Sequence, residues 1–156
     1  MSVTWEEPKT DWSATYNDSG LFIGDFFNVA DYNRIKNNLL YLRELATELM
    51  INVPKIVVGE DKHLPDNKNP DINNDYFYAD EINLIEDGLK SLDERFTFVD
   101  FGDKQTFYDN GKFIDAAELN RIEKAELKMY NLLQGSIAGK SRLAIRLGMR
   151  ENAIRP

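Results

Sequence analysis

The chain contains no cysteine. That absence excludes a disulfide framework, a thiolate nucleophile and any cysteine-ligated metal site. Histidine occurs once, as His63, in an Asn-, Asp- and Pro-rich run with no partner for a metal or a triad beside it. It reads as a solvated side chain. No apolar run approaches the length of a membrane span, and the opening residues MSVTWEEPKTDW lack a basic-then-apolar signal pattern. The expectation is a cytoplasmically made protein without a membrane partner. Asn17-Asp18-Ser19 matches a glycosylation sequon, which has no meaning without a secretory signal.

Basic residues are also scarce: 19 Lys and Arg stand against 27 Asp and Glu, a net charge of −8. The deficit is uneven. Residues 139–156 hold five basic residues and one acid, so this tail is +4 and the first 138 residues carry −12. An acidic body repels phosphate, which argues against nucleic acid as a partner. The 156 residues suffice for one domain with a sizeable core, and 12% aromatic content argues against global disorder.

What is present is an internal repeat. From Asn28 to Met50, Tyr32, Ile35, Leu39, Leu42, Ala46 and Leu49 step by three and four, the spacing of a helix with one apolar stripe. Asn28 is placed to cap it and Asp31 to complement its dipole. The same start signal returns near Ala79 and Ala116. Aligned on Asn33, Asn83 and Asn120, each unit has an acid two residues before the Asn (Asp31, Glu81, Glu118) and an Ile two after it (Ile35, Ile85, Ile122). The units are spaced 50 and 37 residues apart. Phe26-Phe27, Tyr76-Phe77 and Phe113-Ile114 stand seven and six residues before each Asn. There they can staple onto the helix that follows. Such units cannot bury their stripes alone, so the three should pack together, with Ile35, Ile85 and Ile122 at one depth. Asn is a poor helix former. Its recurrence predicts a hydrogen bond from each side chain to the preceding aromatic segment.

The expected architecture is α+β, mainly α, in a single domain spanning residues 1–156. Three helices are expected at about 28–50, 79–96 and 115–134, joined by short β segments. Residues 1–27 form an extended arm, residues 28–135 the repeat core and residues 136–156 a basic strand or tail. In the arm, Trp5, Pro8 and Trp12 should lie against a surface, either this chain's own core or a neighbouring subunit. Lys55–Val58 and Phe98–Phe101 read as short strands, and Asp109-Asn110-Gly111 as a tight turn. Gly135 reads as a helix stop. Beyond it Leu143, Ile145 and Leu147 alternate with Arg142, Ala144 and Arg146, the period of a strand needing a partner edge. Trp5, Pro8, Trp12, Lys140, Arg142, Leu143, Ile145, Arg146, Leu147 and Arg150 are therefore the subunit-interface candidates.

Two ligand motifs fail on inspection. Asp71, Asn73 and Asp75 follow the first ligand positions of a calcium loop, but Tyr76 stands where Gly is needed and Ile82 where a bidentate Glu is needed. GSIAGKS at Gly135–Ser141 has three residues between its glycines where a phosphate loop has four. It also lacks the strand–loop–helix context that aims amides at phosphate. The carboxylate pairs Glu6-Glu7 and Glu123 with Glu126 read as solvated, and no catalytic constellation emerges. The expectation is a non-enzyme without cofactor or metal.

The stretches TWEEPKTDW, DYNRIKNNLLYLRELA, YADEINLIED and ELNRIEKAELKMYNLLQG, in this order over most of the chain, resemble small tail-associated structural proteins of phages and prophages of Gram-positive bacteria. The resemblance implies a non-catalytic part of a tail tip or baseplate. Such a part is made in the host bacterial cytoplasm and carried in the virion or phage-like particle. It would be oligomeric and in contact with other tail or baseplate proteins. It supplies no catalytic residues. The alternative is a module for host-surface carbohydrate, using Trp5, Trp12, Tyr76 and Tyr78.

Overall fold

A computed structural model of the chain describes residues 3–64, 76–96 and 100–154, with side chains as far as residue 139. It is mainly helical, with three helices in order: α1 (Val29–Glu48), α2 (Ala79–Asp93) and α3 (Ala116–Ile154). Their starts follow from the caps. Asn28 accepts from the amides of Ala30 and Asp31, while Asp31 accepts from the Asn28 amide, a reciprocal capping box. Asp115 accepts from the Glu118 amide at 2.9 Å. At α2 the Glu81 carboxylate reaches back to the Tyr78 amide.

The apolar stripes meet in one core. Tyr32, Ile35, Leu39 and Leu42 of α1, Ile82, Ile85, Leu89 and Leu92 of α2, and Leu119, Ile122, Met129 and Leu133 of α3 are all buried in it. The three aligned isoleucines are each at most 2% exposed, so the repeat alignment places core residues correctly. Residues at similar offsets from the three asparagines also face each other. Phe27 and Phe77, six before their Asn, meet Phe113, seven before its own, ahead of the helices, and Arg34 of α1 meets Glu123 of α3 at nearly the same level. Arg121 of α3 meets Glu86 of α2 in the same relation. Contacts between like levels require the helices to run parallel. The bundle therefore has an approximate internal threefold axis, with α1 packed on both α2 and α3.

The β component differs from expectation. Among the described residues there is no strand, only isolated bridge positions: Tyr16 pairs antiparallel with Phe22, and His63 is a further single bridge residue. Lys55–Val58 forms no strand, and residues 98 and 99 of the Phe98–Phe101 segment lie outside the described residues. The turn at 109–111 is present: the Gly111 amide donates to Tyr108 O at 2.9 Å, and Asn110 takes a positive φ of 61°.

The largest correction concerns the C-terminal segment. Gly135 does not stop α3, and Ser141–Leu147 is helix, continuing to Ile154. Alternation over so few residues cannot by itself separate strand from helix. Extending an existing helix adds one hydrogen bond per residue, whereas a lone strand needs a partner edge. Arg142, Arg146 and Arg150 also recur every fourth residue, which is helical spacing. Ile137 is the last described side chain packed on the core. Residues 138–154 run on for about 25 Å at 1.5 Å per residue, past the level at which α1 ends.

Candidate assembly surface

The three repeat asparagines act as clamps. A carboxamide carries both an acceptor and donors, so it can pair with the N–H and C=O of a single residue as a neighbouring strand would. Asn33 accepts from the Lys62 amide at 2.8 Å and donates to Lys62 O at 2.9 Å. Asn83 grips Phe107 in the same way at 2.7 and 2.8 Å, and Asn120 grips Trp12 at 2.8 and 2.9 Å. The expected role is present but the partner is different. Each Asn holds the segment leading into the next helix around the axis, with α3 closing the circle on the N-terminal arm. In a parallel bundle the incoming segment of one unit lies across the helix of its neighbour. Sequence reasoning missed a fourth clamp outside the repeat alignment: Asn38 pairs both ways with Glu6, at 2.9 and 2.8 Å.

These clamps place the arm on its own bundle. Trp12 is 5% exposed, and its indole N–H donates to Glu123. Pro8 is buried. Trp5 stacks on Tyr130 with ring centroids 4.1 Å apart and planes 5° apart. Of the interface candidates, these three are thus occupied within the chain. The backbones of Lys140, Arg142, Leu143, Ile145, Arg146, Leu147 and Arg150 are helical, and their side chains lie outside the described residues.

Beneath the arm lies a charged cluster that the sequence reading took for a solvated face. Glu123 is fully buried and receives the Arg34 guanidinium at 2.7 Å, the Lys9 amide at 3.1 Å and the Trp12 indole. Arg34 is also bound by Asp31 at 2.8 Å. Glu126 is fully buried, and neither of its carboxylate oxygens has a hydrogen-bond partner among the described residues. Desolvation, reinforced by the charge of Glu123, pushes its carboxyl well above the usual range, and the charge of Arg34 opposes this only in part. The signal was available: Glu126 stands six residues after Asn120, where the other units have Leu39 and Leu89. Glu86 is pushed up by burial as well, against the opposing pull of Arg121.

At the helix N-terminal end the aromatic pairs form a crown. Ring centroids of Phe27 and Phe77 lie 4.8 Å apart, and Phe113 is 6.3 Å from each. The residues seven before each Asn remain exposed: Phe26 by 72%, Tyr76 by 67% and Phe113 by 51%. Two open grooves flank the crown. One, of about 390 Å³, is lined by Phe77, Tyr78, Phe107, Tyr108, Asp109 and Phe113 among others. The other, of about 290 Å³, runs past Trp12, Phe22, Asp25, Phe26 and Phe113.

Among the described residues no group of three or more His, Asp or Glu could hold a metal ion, and no helix is long and apolar enough to cross a membrane. Asp71, Asn73 and Asp75 lie outside the described residues, and His63 is exposed. Compared with protein-family models, curated proteins and solved structures, the chain finds no match.

Proposed function

We propose that this protein is a non-catalytic structural subunit or adaptor of a phage tail tip, baseplate or related phage-like particle, acting by protein–protein assembly. The observation that carries the reading is the crown. An aromatic residue stands more than half exposed at the same place in all three units, around the ring contact of Phe27, Phe77 and Phe113. Exposed apolar side chains gathered in one patch mark contact surfaces. The sequence resemblance names the particle; the crown supports a contact role within it. Cryo-electron microscopy of purified particles should find the chain at a fixed position in the tail tip or baseplate, with its crown covered. Particles that lack the chain would refute the reading.

A second reading is favoured by one groove. Tyr78, Tyr108 and Phe113 beside Asp109 and Asn110 combine ring faces for sugar C–H groups with carboxylate and amide for hydroxyls. With Trp5 and Trp12 packed inside, a host-surface carbohydrate would bind here rather than on the tryptophans. A glycan array separates the two: an adaptor stays silent, whereas a carbohydrate module gives a signal that Tyr108→Ala removes.

A further inference from the structure

We propose that copies of this chain associate head to tail, the basic helical extension of α3 (residues 138–154) of one copy seating at the aromatic groove beside the crown of the next. The inference deepens the assembly reading and rests on it. Its first support is geometric. The helices run parallel, so the crown surrounds their N-terminal ends while the extension leaves at the opposite end. α3 is one continuous helix from Ala116 to Ile154. Residue 138 is therefore about 33 Å along the axis from the helix start, and later residues are farther still. The extension cannot fold back onto its own crown while α3 stays helical, so contact between the two ends must be made between copies.

Charge complementarity supplies the second support. The extension holds four basic residues and one acid, a charge of +3, against −12 on residues 1–137. The groove of about 390 Å³ has Asp109 and Lys112 on its lining. Lys112 is neutralised by Asp115 at 2.6 Å, and Asp80 stands exposed on the adjoining first turn of α2, so the edge is acidic on balance. On a helix, positions 142, 146 and 150 share one face, all arginine, and positions 143, 147 and 154 share an adjacent face, Leu, Leu and Ile. An apolar stripe flanked by arginines complements an aromatic floor with an acidic edge. The groove is too small for the whole extension and suits the apolar side chains of one or two turns. A contact joining two different surfaces is heterologous, so it propagates into a ring or a stack rather than closing as a twofold dimer.

The test uses three full-length proteins in sedimentation velocity. The wild-type chain should gain mass with concentration and lose that gain as salt rises. Two variants should each stay monomeric, with self-association weakened roughly tenfold or more. One carries Arg142→Glu, Arg146→Glu and Arg150→Glu; the other carries Tyr108→Ala and Asp109→Lys, both at exposed positions. Their melting curves by circular dichroism check that both are folded. Mixed in equal amounts, the two should form a heterodimer and nothing larger, because one retains an intact crown and the other an intact extension. Variants that self-associate like the wild type, or a mixture that stays monomeric, would overturn the proposal. So would a wild-type chain that stays monomeric but binds vesicles of anionic phospholipid through its arginines. A wild-type chain that is monomeric in solution and occurs as isolated copies in the particle would also overturn head-to-tail association while leaving the assembly reading intact. A heterodimer formed by a chain missing from particles would do the reverse.

Discussion

The seams that α1 makes with its two neighbours are built from opposite chemistry on the same plan. Toward α2 the contact is apolar. Leu39 and Ile56 press so closely on Gly88 that a Cβ there would come within 2.6 Å of the Leu39 side chain. Toward α3 the contact is ionic, with Arg34 against buried Glu123 and Glu126 filling the place of a leucine. The reason lies in the offsets. One residue after the repeat Asn, α1 and α3 carry Arg34 and Arg121, while α2 carries Leu84; three after it, α2 and α3 carry Glu86 and Glu123, while α1 carries Lys36. At the α1–α2 seam neither half of the ion pair is present, and Lys36 turns instead to Asp61 in the connecting segment. The Asn clamps are the same in all three units, so backbone geometry tolerates either chemistry. The seam toward α2 asks mainly for volume, with one buried cation, Lys62 of the connecting segment, paired with Glu81 at 2.6 Å and set over the Tyr32 and Tyr78 rings. The ionic seam requires every partner at once, and one partner, the Trp12 indole, belongs to the arm.

The comparison breaks most sharply at Arg34. Arg34→Ala leaves Glu123 buried without its counter-charge, and chemical denaturation should show a loss of about 3–5 kcal/mol. The same variant should raise the fluorescence accessibility of Trp12 to a quencher, because the arm shares that carboxylate. An unchanged midpoint would mean that the pair is not buried in solution.

On the core side Ile85→Ala should cost about 2–4 kcal/mol, as a large-to-small change at a closed site. Exposed Lys90→Ala serves as a control and should fall within about ±0.5 kcal/mol. Equal effects from the two would refute the alignment that places Ile35, Ile85 and Ile122 in one core.

Glu126 sharpens the contrast in the opposite direction. Glu126→Leu gives α3 the leucine found at this place in α1 and α2, and should stabilise the fold by about 1–4 kcal/mol. Its titration has a definite sign. The folded carboxyl holds its proton above the ordinary range, so the folded state binds more protons than the unfolded chain once pH exceeds the unfolded value. Stability from this group is then fully present below the unfolded pKa and is lost as pH rises through the folded one. The gap in Tm between Glu126→Gln and wild type should therefore widen as pH rises from the acid side of the carboxylate range. A gap that stays constant across pH would show that Glu126 is not a buried acid.

The smallest effect belongs to the clamps. Asn83→Ala strands the Phe107 amide and carbonyl and should cost about 1–3 kcal/mol. Asn120→Ala should cost a similar amount and also loosen the arm at Trp12, visible as faster amide exchange there. Neither variant should change the seams themselves. No effect at either position would make these side chains ordinary polar surface.

Much of the site was legible where local pattern and chemistry coincide. The cap at Asn28 and the three buried isoleucines follow from spacing. The asparagines were readable as backbone binders because a poor helix former recurs at one place. Their partners were not, since Asn120 and Trp12 are 108 residues apart and only the parallel packing brings them together. Glu123 and Glu126 were misread because acids at three-residue spacing match a solvated face as well as a buried one. Their depth is set by the neighbouring helix and the arm.

By itself the sequence determined the number of helices, their starts and the side each turns inward, because capping and 3.6-residue periodicity act within a few residues. It also determined the acidic body and the basic tail. Only the tertiary structure decided that the helices run parallel and that the arm belongs to its own bundle. It also decided that Phe27, Phe77 and Phe113 meet in a crown, and that α3 runs on through Gly135, Gly139 and the supposed strand. These outcomes depend on contacts between residues far apart in the chain, or on whether a partner edge exists, and no local window of sequence carries that information.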